Sequence, residues 1–260
     1  MEPRRTRSAA ALGTWLARRG VLAVTGLVVT GLVGVAAAVT ALVSPPARVA
    51  LLPELASSAI AWGGGVMLAF GASLRALAQD REQGVLALAR ARGVLPGEYA
   101  RGRVVGLVVV LAVALGAATV VACLGAVVAT RGGAAILRSS GAAVVYVLVF
   151  AATLGPVAMA TLGARTRAGG YLTLVAVLVV PELLAGATEQ WLPRGWGELT
   201  SLPAALAAVR AGVAHPVLLG AHAARALAAL AAVVALSSLV VAARAYAPDA
   251  PAGGPWPERR

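Results

Sequence analysis

Ionisable side chains are scarce in this 260-residue chain, and they gather in one place. The stretch DREQGVLALARARGVLPGEYARGR, residues 80–103, holds Asp80, Glu82 and Glu98 among Arg81, Arg90, Arg92, Arg101 and Arg103. Elsewhere the residue types that carry chemistry are isolated. All 22 basic residues are arginine, so a phosphate-binding loop of the GxxxxGK[ST] type, which needs a lysine, is excluded. One cysteine, Cys123, permits no intrachain disulfide, and with His215 and His222 as the only histidines a Cys/His metal centre is not expected. Ser57, Ser58 and Ser73 have no base whose position the sequence fixes, so no nucleophile–base pair is legible. The sequence therefore points away from an enzyme. Glu182, directly after Pro181, is the best candidate for a charge inside an apolar segment. It reads as part of a substrate path or, if its segment ends early, as an outer-interface residue.

The elements that must position these residues are apolar. Hydrophobic residues make up 60% of the chain, charged ones 12%, and the mean hydropathy is +0.88. That surface cannot be hidden in a soluble domain of this length, so lipid is the expected solvent and an all-α integral membrane protein the expected fold. The net charge of +12 does not read as a nucleic-acid footprint, because the arginines lie in short pieces between apolar runs. Six runs, near 20–43, 53–74, 104–130, 141–164, 169–187 and 217–243, are long enough to cross ~30 Å of hydrocarbon. The fifth is the shortest and carries Pro181-Glu182.

Arginine placement orients them. Sixteen arginines fall in residues 1–19, 75–103, 165–167 and 244–260, and six in the alternate segments. The first set, with both termini and the 75–103 loop, is therefore expected to be cytoplasmic. Residues 1–19 read as a cytoplasmic N-terminus. Within it Ala10–Arg19 is expected to form an interfacial helix, with Leu12, Trp15 and Leu16 toward lipid and Arg18 and Arg19 toward headgroups. The first apolar run exceeds the core of a cleaved signal peptide. The external segment 188–216, with Trp191, Trp196 and the helix-compatible Pro203–Gly212, reads as two short outer-leaflet helices before the last span. Residues 20–243 form a single transmembrane domain and 244–260 a cytoplasmic tail.

Within the charged loop, Asp80–Arg92 can form one amphipathic helix. Val85, Leu88 and Arg92 lie along one ridge with Leu86 and Ala89 beside it, and Arg81, Glu82 and Arg90 project elsewhere. Gly93 ends the helix, Pro96-Gly97 turns the chain, and Glu98–Arg103 opens the helix of the third span. Carboxylates mixed among the arginines gain nothing beside anionic headgroups. Alternating signs on a partly apolar helix suit a protein groove.

These residues carry a resemblance. Glu82-x-Gly84-x-Leu86-x-Leu88, an arginine-bearing stretch, a turn, Glu98-Tyr99 and Gly102-Arg103 between the second and third of six spans resemble the permease subunit of type-2 ATP-binding-cassette transporters. Val85 stands where that family usually has threonine, Gly93 near its usual proline, and Arg103 at its usual lysine. The resemblance implies a coupling helix in which Arg81, Glu82, Gly84, Leu86, Leu88, Arg90, Glu98, Tyr99 and Arg103 contact a separate nucleotide-binding ATPase. It also implies a second permease copy, ATP and Mg2+ bound by the partner rather than by this chain, and a place in a bacterial inner membrane. A membrane scaffold that binds a cytoplasmic partner through the same loop, without transport, fits the residues as well. Spans so poor in charge lean toward an amphipathic or apolar cargo.

Overall fold

The computed structural model describes residues 21–74, 76–163, 167–191, 196 and 198–245. The expected interfacial helix Ala10–Arg19, Arg75, Arg165 and the tail beyond Ala245 lie outside them. The described residues are helical, with no strand among them. Nine helices carry the argument: α1 Val21–Val43, α2 Leu52–Ser73, α3 Ala76–Glu82, α4 Val85–Ala91, α5 Pro96–Ala129, α6 Ala134–Leu162, α7 Arg167–Trp191, α8 Leu202–Ala214 and α9 Pro216–Ala245. Single turns at Pro46–Val49 and Glu198–Thr200 complete the connections.

Among the described residues, five helices are long and apolar enough to cross a membrane: α1, α2, α5, α6 and α9. The described residues thus form an all-helical fold with membrane-spanning character; α1, α2 and α9 match the expected runs to within two residues, whereas α5 and α6 begin about eight and seven residues before theirs. α7 covers the remaining run, but its apolar part, Gly169–Ala185, is shorter. The helix does not stop at Pro181-Glu182. It continues to Trp191, because a proline inside an apolar helix costs one backbone bond without ending the helix when neighbours pack around it.

The long helices run antiparallel to their chain neighbours, as their close approaches show. Ala23 meets Gly71 and Ala38 meets Gly125, so the start of α1 lies beside the end of α2, and the end of α1 beside the end of α5. A Cβ on Gly71 would lie 2.2 Å from the Ala23 nitrogen, and one on Gly34 2.6 Å from the Ala118 oxygen. Absent side chains at these points let backbones touch, the packing that replaces hydrophobic drive between helices in lipid. α6 is the centre: every residue from Thr153 to Leu162 is buried, and Phe150 and Leu154 pack with Leu107, Leu111 and Leu115 of α5. By contrast α1 and α9 expose much of their valine and leucine surface, as helices facing lipid would.

Two ends of the bundle result. One holds α3, α4, the start of α5, and the Arg244 guanidinium donating to the Ala160 carbonyl at 2.5 Å. The other holds residues 44–50, the Thr130–Gly133 turn and the α8–α9 connection at His215. α8 packs on α6 and α9 through Leu202, Ala205, Leu206, Ala208 and Val209. It realises the helix expected at Pro203–Gly212. The second short helix expected before the last span is the single turn Glu198–Thr200.

Candidate functional site

The charged stretch folds as two helices, not the single one its periodicity suggests. α3 ends at Glu82, and Gly84 takes φ +70, a left-handed conformation that costs a side-chain-bearing residue ~1–2 kcal/mol. α4 then starts with the Leu88 N–H bonded to the Gly84 carbonyl at 3.0 Å. Gly93, also at φ +70, closes α4. The Val94 N–H reaches back to the Ala89 carbonyl at 3.0 Å, the six-to-one bond of a Schellman ending. Leu95 is extended, Pro96 occupies the first turn of α5, and the Glu98 carboxylate accepts the Leu95 N–H at 3.3 Å. Proline at the start and glutamate in the first turn suit the exposed amides of a helix N-terminus. The expectation that Glu98–Arg103 runs into the long third helix holds.

What fixes this hairpin to the bundle is a buried polar group. Asp80 on α3 is 1% exposed. Arg103 Nε donates to its Oδ2 at 2.8 Å and Arg103 Nη2 to its Oδ1 at 2.5 Å, a two-point pairing. The Tyr99 hydroxyl, one turn earlier on α5, donates to the same Oδ2. Tyr99 and Arg103 are themselves buried. A carboxylate so enclosed is tolerated only when paired and hydrogen-bonded, and here both of its oxygens are engaged. Ala76, Leu77, Leu86 and Ala100 fill the space around it as part of the main core. Leu77 extends to the end of α6, where a Cβ on Gly163 would meet its Cδ1 at 3.2 Å.

The expected contact residues therefore divide. Leu86, Tyr99 and Arg103 face inward and hold the hairpin; Gly84 makes its turn. Leu88 is 54% exposed and Leu95 63% exposed, with Glu82, Arg92, Glu98 and Arg101 exposed around them. Arg81 and Arg90 belong to α3 and α4, but their side chains lie outside the described residues. The outward-facing residues thus combine two apolar side chains with charges of both signs, a mixture that protein-contact surfaces also carry. Sequence reasoning placed Leu86, Tyr99 and Arg103 on that surface. For Tyr99 and Arg103 the signal that could have moved them inward is their spacing of four, which puts both on one face of α5 opposite Asp80.

A second polar group lies toward the opposite end and was not legible beforehand. Arg210 of α8 donates to Glu54 Oε1 at 2.7 Å and to Ser58 Oγ at 2.8 Å. Its guanidinium carbon sits 4.8 Å from the centre of the Tyr146 ring. The Tyr146 hydroxyl in turn accepts the Trp62 indole N–H at 2.9 Å. Trp62 stands in a π-helical turn, Ile60–Gly65, in the middle of α2. Such widened turns insert one residue into an α-helix and re-aim its side chains. Ser58 thus accepts a hydrogen bond from a guanidinium beside the Tyr146 ring. On α7, Glu182 is exposed and accepts the hydroxyl of buried Ser201, the residue that caps α8. It ties α7 to α8.

No protein-family model matches this chain, and no curated protein matches it.

Proposed function

We propose that this chain is the permease subunit of an ATP-binding-cassette exporter, with α3–α4 as the coupling element that seats in a cleft of a separate ATPase. The observation that carries this reading is the hairpin itself. It offers an exposed Leu88 and Leu95 together with exposed charges of both signs, and it is anchored to the first turns of a 34-residue helix, α5. At 1.5 Å per residue α5 is ~50 Å long, well beyond the ~30 Å a membrane requires. A push on the hairpin therefore has a rigid rod to act on.

On this reading α7 is the fifth of six spans, crossing tilted or with its outer turns in the headgroups. The termini and the hairpin are cytoplasmic, and the membrane is a bacterial inner membrane. Two copies of this chain and two ATPases form the working unit. ATP and Mg2+ bind between the ATPases, which draw the two hairpins together and change access along the permease interface. Glu182, held by Ser201 at the start of α8, lies along that path or at its outer mouth.

The test is ATP-driven export by proteoliposomes that hold the complex. Replacing Glu82, Gly84 and Leu86 together is expected to abolish both complex formation and transport; survival of both contradicts the coupling assignment. A scaffold that only anchors its partner would show binding with neither transport nor substrate-stimulated ATP hydrolysis.

A further inference from the structure

The exposed patch and the buried Asp80 group make no shared use of any side chain, although both belong to one hairpin. Leu88 and Leu95 point outward. Asp80, Tyr99 and Arg103 point inward, with α3 on one side and the first turns of α5 on the other. We propose that Asp80 is a positioning residue that fixes the attitude of the docking surface relative to α5, and so transmits nucleotide-driven motion without touching the partner. This rests on the reading of the hairpin as a coupling element.

Three observations carry it. First, the pairing is directional: two Arg103 nitrogens engage the two carboxylate oxygens, which fixes rotation as well as distance. Apolar contacts alone would let short helices slide. Second, α3 and α4 have seven residues each, too few to be stable helices without tertiary anchoring. Third, both joints of α4 are glycines at positive φ, so the direction of α4 follows from how the flanking α3 and the start of α5 are held. Asp80 is the acidic residue on α3 that the core encloses, and Arg103 lies two turns into α5. Force entering at Leu88 passes through α3 into α5 by this pairing.

The experiment uses the full-length protein in lipid nanodiscs, read by amide hydrogen exchange. In Asp80→Asn, exchange across 76–94 is expected to rise at least about tenfold, as for any segment whose local opening becomes easier, with Thr153–Leu162 unchanged. Tyr99→Phe, which removes one hydrogen bond and keeps the charge pair, is expected to give a smaller rise in the same segment. Unchanged exchange in both variants overturns the proposal. A rise throughout the spans, including Thr153–Leu162, also overturns it, because Asp80 would then serve general stability only.

A second arm adds the ATPase that co-purifies with the wild-type chain, and the non-hydrolysable analogue AMP-PNP with Mg2+. The wild-type complex is expected to change its exchange at the far turn, Thr130–Gly133, when the nucleotide binds. Asp80→Asn is expected to retain the ATPase and lose that change. A change undiminished in Asp80→Asn, or absent from the wild type, overturns the proposal. If no ATPase accompanies the wild type, the permease reading fails, and the first arm alone decides whether Asp80 holds the hairpin.

Discussion

Asp80 and Arg103 set the energetic stakes at the scale of single residues. Removing one member of a buried ion pair leaves the other charge uncompensated, at a cost of ~3–5 kcal/mol, whereas replacing both by apolar residues of similar volume is often nearly neutral. Arg103→Met is therefore expected to speed amide exchange across 76–94 far more than the double variant Asp80→Leu/Arg103→Met. Effects of Asp80→Leu and Arg103→Met that simply add in the double variant would mean that the pair is not coupled. Glycine packing gives a second contrast. Gly71→Ala must push its methyl into the backbone of α1, 2.2 Å from the Ala23 nitrogen and 2.6 Å from the Leu22 carbonyl carbon. It is expected to cost ~1–3 kcal/mol, as overpacking does. Gly31→Ala meets nothing within 4 Å, and is expected to be neutral or to gain up to ~1 kcal/mol from helix propensity. Thermal melts of the two variants side by side check the difference.

At the scale of elements, Arg210 joins α8 to both α2 and α6. Arg210→Met is expected to make Leu202–Ala214 exchange its amides faster and to lower the melting midpoint. Glu54→Gln should do much less, because the Glu54 side chain is 55% exposed and Ser58 and Tyr146 remain in place. Equal effects would contradict the view that the aromatic and hydroxyl partners hold the guanidinium. The helices themselves were legible as apolar runs, since backbone groups in lipid must pair within one segment. Three features were not. The break at Gly84 was hidden because glycine interrupts a helical pattern without erasing it. The inward turn of Tyr99 and Arg103 depends on Asp80 being carried back over them by a hairpin, which periodicity does not specify. The pairing of Glu54 with Arg210 spans 156 positions, and no local pattern links them. The exposed apolar residues of the hairpin were partly legible: Leu88 was read as a contact residue, whereas Leu95 was not.

At the scale of the whole molecule, the proposed topology makes a sided prediction. With a membrane-impermeant maleimide, Arg131→Cys and Ala187→Cys are expected to react in intact spheroplasts, and Arg92→Cys only in inverted vesicles. Arg131 and Arg92 are exposed at opposite ends of α5, and Ala187 is exposed near the end of α7. Ala187→Cys decides whether α7 crosses: labelling from the same side as Arg92→Cys would leave α7 on the inner surface and five spans in the membrane. The native Cys123 is buried and should contribute little background.

The central claim is that Leu88 and its rim seat in an ATPase. The most direct measurement is affinity purification of the tagged chain from its own membranes in mild detergent, followed by assay of Mg2+-dependent ATP hydrolysis and identification of the bound subunit. The account predicts a stoichiometric, P-loop-bearing ATPase with the wild type, and its loss in Leu88→Asp while the permease remains monodisperse. An ATPase absent from the wild type, or retained undiminished by Leu88→Asp, would contradict it.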